Sequence, residues 1–372
     1  MLDRQRLTNY PRIFVTLYVL IGAWWLLTGP GLLDRGGTPV GGDFVTFYAA
    51  AELLREAGAE SLFELQRLHA MEEAVIGAEI APFAWHYPPP AMLVVWPLGL
   101  LPFLGALGLW SAASLGTYLG VVRAIDRDST VLWLALAFPG LFQNLMHGQN
   151  GCLTLALLSG ALLLQSRPWL AGVLLGGLLC KPQLLPLVAV ALLAGRHWRS
   201  LAGMLLCATA LGCGSLVFGP EAWRAFFENL PFAWSALSEG GVDLAKVPTT
   251  AGAALLLGAP VGVAQALQGV VSLVAVGAVA LAFARRGRLR VGALAAGALL
   301  ATPFAFEYDL VILALPLLLI GAERRREDAP LLLVAWLTPL ALPGLAHLLP
   351  VQLTPLVLGW VLWRCTAGDR FE

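Results

Sequence analysis

The 372-residue chain is 59% hydrophobic and 12% charged, has a mean hydropathy of +0.78 and carries no formal net charge. That composition lies outside the range of soluble domains, and the neutral balance removes a nucleic-acid-binding reading. Apolar runs of this length satisfy their backbone groups in lipid only as helices, so the expected fold class is an all-α polytopic membrane protein.

In chain order, Arg4, Arg6 and Arg12 precede a first span at 13–30. No small-residue cleavage site follows it, so it reads as a retained helix and not a removed signal peptide. A polar excursion at 31–88 comes next and holds Asp43, Glu52, Glu56, Glu60, Glu64, Glu72, Glu73 and Glu79. Within it, apolar residues recur at helical spacing over Phe44–Ala57 and Leu62–Ile76, which predicts two amphipathic helices lying in the membrane interface. Asp43 falls at the N-cap of the first, where the helix dipole favours an ionised carboxylate. Trp85, His86 and Tyr87 with Pro88 to Pro90 read as an interfacial belt leading into the next helix start.

Further spans are predicted at 89–101, 103–122, 130–147, 150–166, 169–195, 200–218, 260–284, 290–305, 309–321, 330–347 and 351–364, about twelve in all. Segment 89–101 with 103–122 is also readable as one broken helix. Glu221–Trp234, in a second polar loop at 219–248, reads as a third interfacial helix. The Arg-rich ends at Arg4/Arg6/Arg12, Arg196/Arg199, Arg285–Arg290, Arg324–Arg326 and Arg364/Arg370 orient one face to the cytoplasm. Loops 31–88 and 219–248 and the turn at 306–308 then face outward, whereas the twelve-span count leaves the break at 147–150 on the cytoplasmic face. The whole of 1–372 reads as one membrane-embedded domain. The five cysteines lie in or beside apolar runs and read as small fillers, without metal or disulfide spacing.

Polar residues interrupting this apolar pattern are the candidate site. Asp43 at the end of the first span can meet a polar substrate without burial in lipid, or simply cap its helix. His86 and Tyr87 either donate to phosphate or sugar hydroxyls or anchor the interface. Gln149 and Asn150, between Gly148 and Gly151, either satisfy a broken helix or contact substrate. Lys181, with Gln183 two residues on, lies in a run otherwise free of charge. It reads as a compact cation for a phosphate oxygen, or as the partner of a buried carboxylate. Glu307, Tyr308 and Asp309 fall on the same expected face as Asp43, to bind sugar hydroxyls, to position Lys181 or an Arg, or to share acid/base work with Asp43. No nucleotide-binding loop, serine-hydrolase elbow or zinc-protease motif is present, and no cofactor or metal site is read.

With those residues in hand, the sequence resembles glycosyltransferase family 87, membrane enzymes of the GT-C fold. The resemblance lies in the Gly41 to Tyr48 block, Tyr87-Pro88-Pro89, Gly148-Gln149-Asn150, and Gly172 through Lys181-Pro182-Gln183. It implies inverting transfer of a sugar, mannose in characterised members, from a polyprenyl-phosphate donor to a lipid or glycan acceptor at the outer face of the cell membrane. The family's first-loop aspartate, its catalytic carboxylate, maps to Asp43. Tyr48, in the same block, is implied to bind substrate. The late loop departs from the family's histidine-bearing pattern and carries Glu307-Tyr308-Asp309. A monomer is the expected state. Two other functions compete: a flippase for a lipid-linked sugar, which predicts internal repeats that are not seen, and a non-catalytic assembly protein, which has no use for the polar breaks.

Overall fold

A computed structural model describes residues 4–367. Among them the chain is almost entirely helical; an isolated bridge pairs Leu33 with Pro39 and no β-strand forms. Five helices are long and apolar enough to cross a membrane: Gln5–Leu27, Phe103–Ile125, Trp198–Phe218, Val261–Ala284 and Arg326–Leu348. A pair bent by 47°, Ser129–Leu136 with Pro139–Met146, makes a sixth, and shorter apolar helices fill the intervals. The chain is a multi-pass membrane protein on this evidence.

The first half runs α1 (Arg4–Leu27), α2 (Phe44–Glu56), α3 (Leu65–Ile76), α4 (Pro89–Val95), α5 (Phe103–Ile125), α6 (Ser129–Leu136), α7 (Pro139–Met146), α8 (Gly151–Leu163) and α9 (Pro168–Gly176). It continues through α10 (Leu185–Ala194), α11 (Trp198–Gly214), α12 (Pro220–Ser238), α13 (Thr250–Leu256), α14 (Val261–Ala284), α15 (Arg290–Ala301), α16 (Ala314–Ala322), α17 (Ala329–Leu348) and α18 (Thr354–Ala367). Proline punctuates the set by opening α4, α7, α9 and α12, where its missing N–H costs nothing.

The α2 helix forms as its spacing predicts, but it is not a surface helix. Phe44 through Ala51 are all buried, so α2 is enclosed instead of lying flat in the interface. α3 covers it on one side and segment 89–101 on another. That segment begins beside α2, where Tyr87 packs on Phe47 at 5.4 Å between ring centroids. It also ends there: the Tyr48 hydroxyl donates to the Leu101 carbonyl at 2.9 Å, and Phe103 packs on both Phe44 and Tyr48. With both ends beside Phe47 and Tyr48 of one helix, 89–101 packs alongside α2 and is not the separate span its hydropathy predicts. The 169–195 run departs the other way. It is cut at Lys181 into α9 with its 3-10 extension and α10, because the residue before Pro182 is excluded from helical backbone.

Two groups of long-range contacts mark two faces. On one, the Thr8 and Thr130 hydroxyls meet at 3.4 Å, Arg290 donates to Gln165, and Arg364 is clasped by Asp328 and Glu323. On the other, Tyr87 reaches Gln149, and Gln352 donates to the Ala245 carbonyl. The break at 147–150 is therefore on the Asp43 face, which corrects the placement from the span count.

A buried carboxylate ties the enclosed α2 to the loop beyond it. Glu72 on α3 is fully buried and accepts from the Thr46 hydroxyl at 2.9 Å and the Phe83 N–H at 3.1 Å. Burial lifts its pKa from 4.5 to about 7, against the lowering effect of those two donors and of His69. The folded state thus holds a proton that the unfolded chain has released, and Glu72 costs stability as pH rises from about 4.5 to 7. Glu72→Gln should raise the thermal midpoint in detergent more at pH 8 than at pH 5; an equal change at both values would contradict this account. For segment 89–101, cysteine-free protein carrying His86→Cys or Leu101→Cys should react with an impermeant maleimide from the same side. Labelling from opposite sides would restore 89–101 as a span.

Candidate active site

Two backbone breaks meet at this site. Gly41-Gly42-Asp43 turns into α2, and His147-Gly148-Gln149-Asn150 joins α7 to α8. Gly42 and Gly148 both adopt φ +53°, open to glycine at little cost. A Cβ on Gly42 would lie 3.1 Å from the His147 Cα, and one on Gly148 would lie 2.6 Å from the Phe44 Cβ and 2.8 Å from the Gly41 oxygen. No larger residue fits this approach, and it brings Asp43 against His147 and Gln149. Trp110 fastens it by donating to the Gly148 carbonyl at 2.8 Å. Asn144 is wholly buried, and with its amide nitrogen toward the Gln149 carbonyl (3.1 Å) and its oxygen toward the Gly151 N–H (3.0 Å) it braces the break from below.

Asp43 occupies the N-cap position of α2, yet its side chain makes no capping bond. Its carboxylate turns to the other break instead. Oδ2 accepts from Gln149 Nε2 at 2.9 Å, and Oδ1 lies 3.5 Å from His147 Nδ1. Gln149 is in turn held by the Tyr87 hydroxyl, which donates to its Oε1 at 3.1 Å, and by the Asn150 N–H at 3.2 Å. The other nitrogen of His147 lies 3.2 Å from Glu307 Oε1. An imidazole whose two nitrogens both face carboxylates is matched to its doubly protonated form. Burial pushes the His147 pKa down, but the hydrogen bonds and charges of Asp43 and Glu307 outweigh it and lift the value to about 9.

Glu307 opens the 3-10 turn Glu307–Leu313, and Asp309 lies two residues on. Asp309 accepts from Lys181 Nζ at 2.5 Å and from the Phe306 N–H at 3.2 Å. Lys181 and Asp309 are both buried, so the pair joins the break before α10 to the late turn. This is the carboxylate-pairing alternative for Lys181, and it occupies the charge that the phosphate reading requires. Removing either partner of such a buried pair typically costs about 3–5 kcal/mol. Tyr308 lays its ring 5.6 Å from His147 and stacks on Phe306.

The structure thus gathers Asp43, Tyr87, Gln149, Asn150, Glu307, Tyr308, Asp309 and Lys181, and leaves out three other candidates. Tyr48 spends its hydroxyl on Leu101, His86 is exposed and stacks on Phe232 of α12, and Gln183 is exposed. Sequence reasoning passes over His147, Asn144 and Lys246, whose Nζ lies 4.0 Å from Glu307. His147 directly precedes the Gly148-Gln149 break, Asn144 lies three residues before it, and Lys246 is one of only two lysines. Among the described residues no set of three or more His, Cys, Asp or Glu side chains is arranged to hold a metal ion.

Residues 85–306, more than half of the chain, match the model of glycosyltransferase family 87. The chain belongs to that family. It is also 34% identical over 166 residues to the polyprenol-phosphate-mannose-dependent α-(1-2)-phosphatidylinositol pentamannoside mannosyltransferase of Mycolicibacterium smegmatis. That alignment covers 40% of this chain and 39% of the mycobacterial protein. No solved structure matches. In this family-87 chain the matched segment contains Tyr87, His147, Gln149, Lys181 and Lys246 and ends one residue before Glu307, while Asp43 precedes it.

Because the folded pKa of His147 lies above its ordinary 6.5, its contribution to stability is complete below that value and is lost as pH rises through about 9. The thermal midpoint in detergent should fall between pH 6.5 and 9, and His147→Gln should flatten that slope. An unchanged slope in the variant would place the titration elsewhere.

Proposed function

We propose that the protein is a membrane glycosyltransferase that moves a sugar, mannose by the relative it is similar to, from a polyprenyl-phosphate carrier to an acceptor hydroxyl with inversion. The observation that carries this reading is the Asp43 carboxylate in a family-87 chain. It is held by Gln149 and His147 and is still about a quarter open, with 23% of its side chain exposed. A carboxylate so oriented can accept the proton of an incoming hydroxyl while the hydroxyl oxygen attacks the anomeric carbon and the polyprenyl phosphate leaves. His147 presents a cationic ring to Asp43, and Glu307 balances the imidazolium from its other side. Gln149 fixes the direction of the carboxylate, and Tyr87 fixes Gln149.

The Asp43 face is read as extracytoplasmic. With both ends of 89–101 on the α2 side and 169–195 crossing twice, the number of crossings stays near twelve. The turns bearing Arg123, Arg127 and Arg167 then join those of Arg196, Arg285–Arg290 and Arg324–Arg326 on the opposite face, as the positive-inside bias requires. A donor on the outer face is lipid-borne, which fits the site's place at the membrane boundary.

Purified protein in nanodiscs should transfer label from synthetic polyprenyl-phosphate-mannose to a lipid extract, and Asp43→Asn should reduce turnover by on the order of 10²-fold or more while remaining folded. Undiminished turnover in Asp43→Asn would remove it as the base. Refusal of every polyprenyl-phosphate sugar by the wild type would sink the transferase reading.

A further inference from the structure

The two lysines of the chain sit in opposite circumstances. Lys181 is buried and bound to Asp309. Lys246 ends a short 3-10 turn, Leu244–Lys246, in the second polar loop, and that turn is pinned on three sides. Asp243 accepts from the Ala245 N–H at 3.0 Å, its other oxygen lies 2.8 Å from His347 Nε2 on α17, and Gln352 donates to the Ala245 carbonyl at 2.9 Å. The flanking residues Ala245 and Val247 are buried. The Lys246 side chain itself is 43% exposed, and its contact with Glu307, at 4.0 Å, is at the outer limit of an ion pair.

A fixed backbone under a loosely held ammonium is suited to an anion that arrives and departs. Glu307 has a closer partner in His147, at 3.2 Å, so Lys246 can leave it without stranding a buried charge. Lysine offers three rotatable donors on a compact charge, which suits a phosphate oxygen.

We infer that Lys246, and not Lys181, meets the phosphate of the lipid-phosphate sugar donor at the Asp43 face; this rests on the transferase reading above. In the step it serves, the acceptor oxygen bonds the anomeric carbon and its proton passes to Asp43. The bond from the anomeric carbon to the phosphate oxygen breaks, and its electron pair stays on the polyprenyl phosphate. The leaving group gains one negative charge, and Lys246 lies where that charge is met. Lys181 serves instead to hold the late turn against the break before α10.

The test compares Lys246→Met, Lys246→Arg and Lys181→Met in nanodiscs, using synthetic polyprenyl-phosphate-mannose. Two quantities are measured: KM for donor and for acceptor in turnover, and equilibrium donor binding in an Asp43→Asn background, where turnover is suppressed. Lys246→Met should weaken donor binding and raise donor KM on the order of tenfold with acceptor KM unchanged, and Lys246→Arg should recover most of it. Lys181→Met should instead lower the thermal midpoint. Unchanged donor binding in Lys246→Met overturns the inference, as does a rise confined to acceptor KM, which would assign the lysine to a phosphate on the acceptor lipid. A wild type that binds donor without transferring sugar refutes the transferase reading alone, since the binding comparison still decides Lys246. One that does neither refutes both.

Discussion

One imidazole between two carboxylates holds the site together, and its position depends on a backbone approach that side chains larger than hydrogen would prevent. His147 spans Asp43 and Glu307, which lie more than 260 residues apart in the chain. For the imidazole to reach both, the turn before α2 has to touch the turn before α8, and Gly42 and Gly148 permit it. A side chain at Gly148 would run into the Phe44 Cβ and the Gly41 oxygen, and one at Gly42 would crowd His147 in a backbone conformation that L residues rarely adopt, so either change strains the approach.

The architecture around this contact is divided. One buried core gathers α2 with segment 85–106, and another gathers α8, α15, α16 and the late turn. Asp43 opens the first core and Glu307 and Asp309 open the second, so the ionisable residues lie where the cores abut. Intramembrane charges are costly unless paired or beside a cavity. Here Lys181 and Asp309 satisfy one another in the interior, while Asp43 and Lys246 stay partly open at the edge. The same division separates charges paired in the interior from charges partly open at the edge.

Polar interruptions in apolar runs were visible from residue order alone, because each is a local departure from a strong local pattern. That is why Asp43, Gln149, Lys181, Glu307 and Asp309 could be named before any geometry. Their partners were not visible. Lys181 carried two readings, phosphate ligand or buried ion pair, and both predict the same residue at the same place; only the 2.5 Å contact with Asp309 separates them. Tyr48 and His86 share blocks with true neighbours of the cluster but point elsewhere, since adjacent residues on a helix or an extended strand face different ways.

By itself, then, the sequence determined the class of protein, the helical character of α2 and the places where helices break, since hydropathy and proline act over a few residues. It did not decide which apolar runs cross the membrane. Segments 89–101 and 169–195 both read as single spans, yet the first packs alongside α2 and the second is cut in two at Lys181, so a count can come out near twelve with both misassigned. Only the packing of Tyr87 and Leu101 on α2 decided the first, and only the meeting of His147 with Asp43 put the 147–150 break on the Asp43 side. These are contacts between residues far apart in the chain. Their register depends on how whole helices fit together, which no local pattern encodes.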